Sequence, residues 1–276
     1  MDIKTQSITY GPGGIYSGFA AYPERHDGSL PGVIVFQEVY GVDGHIRDVT
    51  RRYAEAGYFA FAPDLYAQYG NRLAPLAEPR IEAVKRFMDK VPFAEMRDPA
   101  KRDSHLSRLP PQEAREVGES LQALFGGMDL PKRVPHLVAT SAFLREENSL
   151  TRGQRIGSVG FCMGGGLSGL LAASDPALSA AIIYYGRSPT EPEVQMIACP
   201  VLGFYGEMDA PITSTVPQLA EQMKRSGKSF EYHVFKGAYH AFFNDQRTPY
   251  QAVAARWSYG RALAFFADHL TGDPHA

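Results

Sequence analysis

The chain has 276 residues, of which 44% are hydrophobic and 21% charged, with a formal net charge of −2. These values argue against an intrinsically disordered chain or a coiled coil. The near balance of 28 basic and 30 acidic side chains leaves no charge excess for binding nucleic acid or an anionic membrane surface.

The start of the sequence and its cysteine content predict where the protein works. Residues 1–6 lack the basic start and apolar stretch of a signal peptide, and no apolar run is long enough to span a bilayer. The two cysteines, Cys162 and Cys199, are too few for a disulfide framework and are expected to be reduced thiols. We therefore expect a cytoplasmic protein with no membrane partner.

The first part of the chain predicts a hairpin followed by a strand, a helix and a second strand. Two segments around a Gly-Pro-Gly-Gly turn predict the hairpin, and residues 33–36 are apolar on both faces, as in buried strands. Asp43 can serve as the N-cap of an amphipathic helix that should end near Gly57. Residues 59–62 predict the next short strand, ended by Pro63.

Between about residues 70 and 130 the alternation of strands and helices is interrupted. Residues 92–116 combine four prolines with many charges and show no sustained apolar period. A disordered linker between two domains is one interpretation. Because the preceding strands are too few to form a stable domain, we favour a cap-like insertion over the active-site end of a single domain, 1–276. Helical pieces are predicted at 79–89, 111–125 and 134–146.

The second half of the chain resumes the alternation and predicts a mostly parallel sheet with helices on both faces. Strands are predicted at 155–161, 181–185, 201–205 and 230–235. Helices are predicted at 164–173, 214–225 and 250–270.

The pentapeptide Gly160-Phe161-Cys162-Met163-Gly164 lies at one of the predicted strand-to-helix junctions. In a nucleophile elbow the nucleophile occupies a strained turn, and small residues two before and two after it let neighbouring backbones approach. The turn would aim the Met163 N–H at a developing oxyanion, and the helix N-terminus would favour the Cys162 thiolate. The alternative is a buried structural cysteine, the commonest role of a free thiol.

Two later residues favour the catalytic interpretation of Cys162. Asp209 and His240 follow the last two predicted strands, in the order nucleophile, acid, base. Since the carboxyl ends of parallel strands meet at one edge of a sheet, the three side chains should lie close together. Asp209 would hold the imidazole tautomer and His240 would move the proton, with Glu207 as the competing acid.

Neither a cofactor nor a metal ion is expected. Residues 164–169 match the spacing of a dinucleotide fingerprint, but they lie outside the first strand–helix unit and no acidic residue ends the following strand. These glycines are better explained by close packing behind the elbow. The sequence also contains no histidine, cysteine and aspartate cluster with zinc-site spacing.

Glu38 directly follows the first buried strand and should lie level with the elbow. A carboxylate beside a thiol opposes thiolate formation or accepts the S–H as a hydrogen bond. Glu38 would then hold Cys162 neutral until substrate displaces it. A helix-capping or solvated glutamate is the alternative interpretation.

Together these motifs resemble the dienelactone hydrolase (carboxymethylenebutenolidase) family from about residue 7 to 270, except the stretch from about 70 to 130. The resemblance implies an α/β-hydrolase fold and a Cys162–His240–Asp209 triad. It also implies a thiol gated by Glu38, oxyanion donors at Met163 and Val39, and a pocket lined by Tyr185. The segments that carry it are Gln37-Glu38-Val39-Tyr40-Gly41, Ala62-Pro63-Asp64-Leu65-Tyr66, Gly160-Phe161-Cys162-Met163-Gly164-Gly165, Asp209 and His240-Ala241-Phe242-Phe243-Asn244.

The chain departs from the family at one substrate-binding position. Well-known members carry an arginine four residues after the triad histidine, and this arginine binds the substrate carboxylate. This sequence has Asn244 at that position. Arg72, Arg80 or Arg86 would be the replacements within the longer segment before the elbow. Aromatic side chains near the site suit a planar, unsaturated or aromatic substrate, as in aromatic compound degradation. Substrate contacts are predicted at Tyr40, Tyr185, Phe242 and Asn244.

The sequence therefore predicts a hydrolase of small esters or lactones that forms a thioester on Cys162. A cysteine-dependent amidase or peptidase would share this chemistry and differ in the leaving group. A non-catalytic binding protein on the same fold is the alternative from another class. The expected partner is a small-molecule substrate, and the expected state is a monomer or weak homodimer.

Overall fold

The computed structural model describes residues 2–91, 95, 98–126 and 129–271. The chain divides into two units, one made of Met1–Leu65 with Leu130–Ala276 and the other of Tyr66–Asp129. The strands are β1 (Ile3–Tyr10), β2 (Tyr16–Pro23), β3 (Gly32–Phe36), β4 (Phe59–Pro63), β5 (Ala67–Gln68), β6 (Asn71–Arg72), β7 (Ile156–Phe161), β8 (Ala180–Tyr184), β9 (Val201–Gly206) and β10 (Phe230–Phe235). The helices are α1 (Gly44–Glu55), α2 (Glu78–Met88), α3 (Pro99–Leu106), α4 (Pro111–Gly126), α5 (Val134–Ala142), α6 (Met163–Ser174), α7 (Glu191–Met196), α8 (Ala210–Thr213), α9 (Val216–Arg225) and α10 (Ala252–Leu270).

An eight-stranded sheet in the order β1-β2-β4-β3-β7-β8-β9-β10 forms the first unit. The first two strands form the predicted hairpin, and β2 pairs with β4 in antiparallel fashion. All the remaining pairs, from β4 through β3 to β10, are parallel. The structure thus confirms the predicted mostly parallel sheet.

Helices cover the sheet on both faces because its inner strands are apolar on both sides. Val33 and Val35 of β3 belong to the apolar cluster that includes residues of α1 and α10. The alternate residues Ile34 and Phe36 belong to a second cluster with residues of α5, α6 and α9. This alternation is the two-residue period of a strand, and it confirms that β3 is buried on both faces.

Local signals set the ends of the first helix. The Asp43 carboxylate accepts the Ile46 N–H at 3.0 Å, so the predicted N-cap is confirmed. Gly57, with a φ of 95°, follows the end of the helix in a conformation that favours glycine. This helix carries the chain from β3 back to β4.

A buried polar network joins β1 to α5. The Tyr10 hydroxyl lies 2.9 Å from His136 Nε2 and 2.7 Å from the Thr140 hydroxyl. The His136 ring stacks on Tyr16 with 3.9 Å between centroids. Burial, and then the charge of Arg133, lowers the pKa of His136 to about 4, so the ring is neutral at neutral pH.

The second unit contains a short hairpin, whose strands β5 and β6 have two residues each, and the helices α2, α3 and α4. Arg80 of α2 donates to Glu119 of α4 at 2.7 Å. The helices predicted at 79–89 and 111–125 correspond to α2 and α4, whereas α3 was not predicted. Residues 92–94, 96 and 97 of the proline-rich stretch lie outside the described residues, and the insertion's predicted role as a cap stays a prediction.

Among the described helices, none combines the length and apolar character that a bilayer crossing requires.

Candidate active site

Cys162 lies in a strained turn between β7 and α6. Its φ of 56° and ψ of −115° fall outside the regions that ordinary residues adopt. The Cys162 N–H donates to the carbonyl of Tyr184 on the neighbouring strand β8 at 3.0 Å, and the turn closes through the Gly165 N–H, which donates to the Cys162 carbonyl at 3.1 Å. Backbone bonds therefore fix where the thiol points.

The glycines on either side of Cys162 are required by contact with backbone. A Cβ at Gly160 would lie 1.8 Å from the Gly164 carbonyl oxygen. A Cβ at Gly164 would lie 2.3 Å from the Phe36 carbonyl oxygen on β3. The predicted reason for the glycine spacing is therefore confirmed: α6 packs directly against the sheet at the elbow.

Asp209 and His240 meet at the carboxyl ends of β9 and β10. The His240 Nδ1 lies 2.6 Å from the Asp209 Oδ2, the separation of a charge-assisted hydrogen bond. The Met208 N–H donates to the Ala238 carbonyl at 2.9 Å and holds the two loops together. The competing acid Glu207 instead accepts the Gly237 N–H at 2.8 Å. The structure thus brings the predicted acid to the histidine.

The thiol of Cys162 is close enough to the imidazole of His240 to influence its pKa. Burial lowers the pKa of His240, but the thiolate charge and hydrogen bond of Cys162 and the bond to Asp209 raise it by more. The pKa of His240 therefore lies well above its ordinary value. A histidine placed in this way is able to accept a proton from a neighbouring side chain.

Glu38 is buried at the end of β3 and is hydrogen-bonded by two side chains. The Tyr185 hydroxyl donates to its Oε1 at 3.3 Å, and the Asn244 amide donates to its Oε2 at 2.7 Å. The structure thus brings together Glu38, Tyr185 and Asn244, which were all predicted to lie at one site. The role of Asn244 toward Glu38 was not predicted.

Arg247, which was not predicted from the sequence, lies beside the site. The Arg247 guanidinium carbon is 5.1 Å from the centroid of the Tyr40 ring. Burial raises the pKa of Tyr40, Arg247 lowers it, and the charges of Glu38 and Cys162 raise it again, which places Tyr40 among these groups. The available signal was the position of Arg247, three residues after Asn244.

The other predicted substrate contacts, Tyr185, Phe242 and Asn244, are all buried. Tyr185 has a φ of 37° and its ring centroid lies 5.1 Å from that of His240. Phe242 lies behind it, 5.2 Å between ring centroids, and is fully buried in the core. Asn244 is also buried. Contact of Tyr185, Phe242 and Asn244 with substrate stays a prediction that their burial does not favour.

The two predicted oxyanion donors lie on adjacent elements. Met163 is the first residue of α6, and Val39 follows Glu38 in the loop after β3.

The second cysteine, Cys199, is in the core, and burial raises the pKa of its thiol to about 12. Within the described ranges, no group of three or more histidine, cysteine, aspartate or glutamate side chains could hold a metal ion.

Comparison with known proteins places this site in a family context. The family model described as "Dienelactone hydrolase family" matches residues 17–270. The "Putative carboxymethylenebutenolidase" of Saccharolobus solfataricus is 34% identical over 84% of this chain and 87% of its own length. A Bradyrhizobium protein named "Probable 2-oxo-3-(5-oxofuran-2-ylidene)propanoate lactonase" is 26% identical over 89% of this chain and 86% of its own. The crystal structure of a "Putative Dienelactone Hydrolase" from Klebsiella pneumoniae superposes with a TM-score of 0.65 and 27% identity, covering 98% of this chain and all of the other.

Proposed function

Because the chain belongs to the dienelactone hydrolase family, we propose that it hydrolyses small carboxylic esters or lactones through a thioester on Cys162. The observation that carries this proposal is the strained elbow of Cys162 beside a histidine that is itself bound to Asp209 at 2.6 Å. Acyl transfer needs a nucleophile beside a base and an acid that orients the base, and Cys162, His240 and Asp209 would fill these roles.

In the first half of the reaction the Cys162 sulfur attacks the carbonyl carbon of the substrate. The electron pair of the carbonyl π bond moves onto the oxygen. The N–H groups of Met163 and Val39 would stabilise the resulting oxyanion. When the oxyanion collapses, the bond to the alcohol oxygen breaks and His240 gives that oxygen its proton. The product of this half is a thioester on Cys162, and from a lactone the alcohol stays attached to the acyl group.

In the second half a water molecule replaces the alcohol. His240 takes a proton from the water as it attacks the thioester carbonyl, and the carbon–sulfur bond then breaks. The carboxylic acid leaves, and the thiolate and the protonated imidazole are restored. Asp209 keeps the Nδ1–H of His240 in place through both halves.

The substrate class is proposed from the groups around the thiol. Tyr40 feels the charge of Cys162, the Tyr185 ring lies 5.1 Å from that of His240, and both rings suit a planar or unsaturated acyl group. The lactonase name of the Bradyrhizobium relative points to the same kind of substrate. Phe242 would support Tyr185 from behind rather than touch the substrate.

Turnover of p-nitrophenyl acetate tests the mechanism. We expect a burst of p-nitrophenol equal to the enzyme concentration, followed by slower release, because acylation precedes hydrolysis of the thioester. Replacing Cys162 with Ala should lower kcat/KM by about a thousandfold or more, since the nucleophile is lost. Mass spectrometry of the quenched protein should find the acetyl group on Cys162.

Cys199→Ala is the matched control, because that thiol is buried in the core and has a raised pKa. Its burst and kcat/KM should stay within about twofold of the natural protein. A panel of aryl esters, lactones and anilides then separates esterase from amidase chemistry. Full activity of Cys162→Ala would rule out the thioester.

A further inference from the structure

The carboxylate of Glu38 is fixed by two side chains that come from different loops. Tyr185 follows β8, and Asn244 lies in the loop after β10. Their donors reach opposite oxygens of the carboxylate, at 3.3 Å on Oε1 and 2.7 Å on Oε2. All three side chains are buried, and water cannot readily replace either bond. The orientation of Glu38 is therefore set by its protein neighbours.

The orientation of the Asn244 amide is fixed as well. Its Oδ1 accepts the backbone N–H of Gln246 at 3.1 Å. The Nδ2 group is therefore the end that faces Glu38, where it can only donate. The Tyr185 hydroxyl also stays a donor, because burial and then the charges of Glu38 and Cys162 raise its pKa well above the ordinary value.

We propose that Asn244 and Tyr185 are positioning residues that hold the Glu38 carboxylate away from Cys162, so that the thiol is paired with His240 and reactive before any substrate binds. The inference rests on the proposed function only in taking Cys162 as the nucleophile. It differs from the sequence-based expectation in which Glu38 keeps the thiol neutral until substrate arrives.

The contacts of the described side chains support this assignment. The side-chain hydrogen bonds of Glu38 are those from Tyr185 and Asn244, whereas the hydrogen-bonding neighbour of the Cys162 thiol is His240. A carboxylate held in this way acts on the thiol through its charge alone, and the adjacent imidazolium offsets that charge. The titratable and charged groups around the thiol and Glu38 are Tyr185, His240 with its partner Asp209, and Tyr40 with its neighbour Arg247.

Alkylation of the full chain by iodoacetamide in the absence of substrate tests the proposal. The rate is followed from about pH 5 to 9 on the peptide that contains Cys162, so that Cys199 does not contribute. Since the thiolate is the reacting form, Cys162 should react near pH 6 at least about tenfold faster than the same thiol in a His240→Ala variant. Adding butyrate, a simple carboxylate, should leave the rate unchanged.

Asn244→Leu removes the donor to Oε2 while keeping a side chain of similar size. The freed carboxylate can then turn to the thiol and accept its S–H, which should slow alkylation near pH 6 by about tenfold and move the rate profile to higher pH. Tyr185→Phe removes the longer of the two bonds and should act in the same direction with a smaller effect. This second variant serves if the first does not fold.

A double-variant cycle shows whether Asn244 acts through Glu38. In a Glu38→Gln background, Asn244→Leu should no longer change the alkylation profile, whereas a purely structural effect would persist. The proposal is overturned if butyrate accelerates alkylation of the natural protein about tenfold, or if Asn244→Leu keeps the natural profile. Failure of the proposed function is separate: it appears as ester turnover that survives Cys162→Ala.

Discussion

The electrostatics of His240 depend on the two groups that flank its ring. Burial is the largest single influence on the pKa of His240 and lowers it, but Cys162 and then Asp209 raise it by more in total. The ring nevertheless keeps 34% of its side chain exposed, so solvent screens these interactions. A charged pair in this setting contributes modestly to stability, and its larger effect is on which atom holds the proton.

Asp209→Asn should make this contribution visible as a dependence on pH. The pKa of His240 is raised in the folded state. The stability that its charged form provides is therefore complete below the pKa of the unfolded chain, about 6.5, and is lost as pH rises through the pKa of the folded state. Because solvent screens the pair, we expect the variant to lose about 1 kcal/mol of unfolding free energy near pH 6 and less near pH 10. Urea unfolding at the two pH values measures both losses.

The half-exposed pair of Asp48 and Arg52 on α1 provides a control for that measurement. Asp48→Asn should cost less than about 0.5 kcal/mol, and the same amount at both pH values, because arginine keeps its charge throughout. A loss in Asp209→Asn that is equal near pH 6 and pH 10 would contradict the assigned role of His240.

At the scale of elements, the elbow depends on how closely α6 approaches the sheet. The approach brings backbone of α6 against the carbonyl of Phe36 on β3 and leaves no room for a Cβ at Gly160 or Gly164. The strained backbone of Cys162 persists because the elements around it are packed in this way.

Gly160→Ala should therefore disrupt the elbow. Its Cβ would lie 1.8 Å from a backbone oxygen that cannot move without shifting α6. We expect a loss of more than about 3 kcal/mol in unfolding free energy, or no folded protein, together with loss of ester turnover. Thermal and urea unfolding measure the first effect.

Gly260→Ala is the matched control, since Gly260 lies within α10 and a Cβ there would meet nothing within 4 Å. This variant should gain about 0.5–1 kcal/mol because alanine favours the helix. Equal stability of Gly160→Ala and the natural protein would show that the elbow relaxes more easily than its packing implies.

The sequence predicts these elements unevenly. The caps and the order of Cys162, Asp209 and His240 follow local rules, which is why α1 and the strand ends were predicted. The helix α3 carries its own signal, since Asp98 caps it at 3.0 Å from the Ala100 N–H and Pro99 follows, but charges and prolines around it hid that signal. The bond between Asn244 and Glu38 spans distant loops, and no local pattern predicts it.

At the scale of the whole molecule, buried polar groups link stability to pH. The neutral His136 ring joins β1 to α5 through Tyr10, far from the elbow along the chain. Since the unfolded chain binds a proton at this residue below about pH 6.5 and the folded chain only near pH 4, acid favours unfolding over that interval. This pH dependence of stability is opposite to that of His240, whose contribution is lost as pH rises.

His136→Gln should remove this sensitivity to acid. The natural protein should lose about 3 kcal/mol of unfolding free energy at His136 between about pH 6.5 and pH 4, and the variant should lack that part of the slope. The variant pays a constant cost for the lost stacking on Tyr16 at every pH. Urea unfolding in steps from pH 7 to about pH 4 separates the slope from the constant. Parallel curves for the two proteins would contradict the neutral assignment of His136.

The strained turn at Cys162 also bears on how such a protein changes over generations. Hydrogen bonds of the backbone aim this side chain, and none of them involves sulfur. A mutation from cysteine to serine would exchange one atom for another without displacing it, so the inherited scaffold can pass from one nucleophile to the other in a single step. The glycines beside it have no such freedom. The backbone of this turn therefore accepts a change of the reacting atom, whereas it accepts no side chain at Gly160 or Gly164.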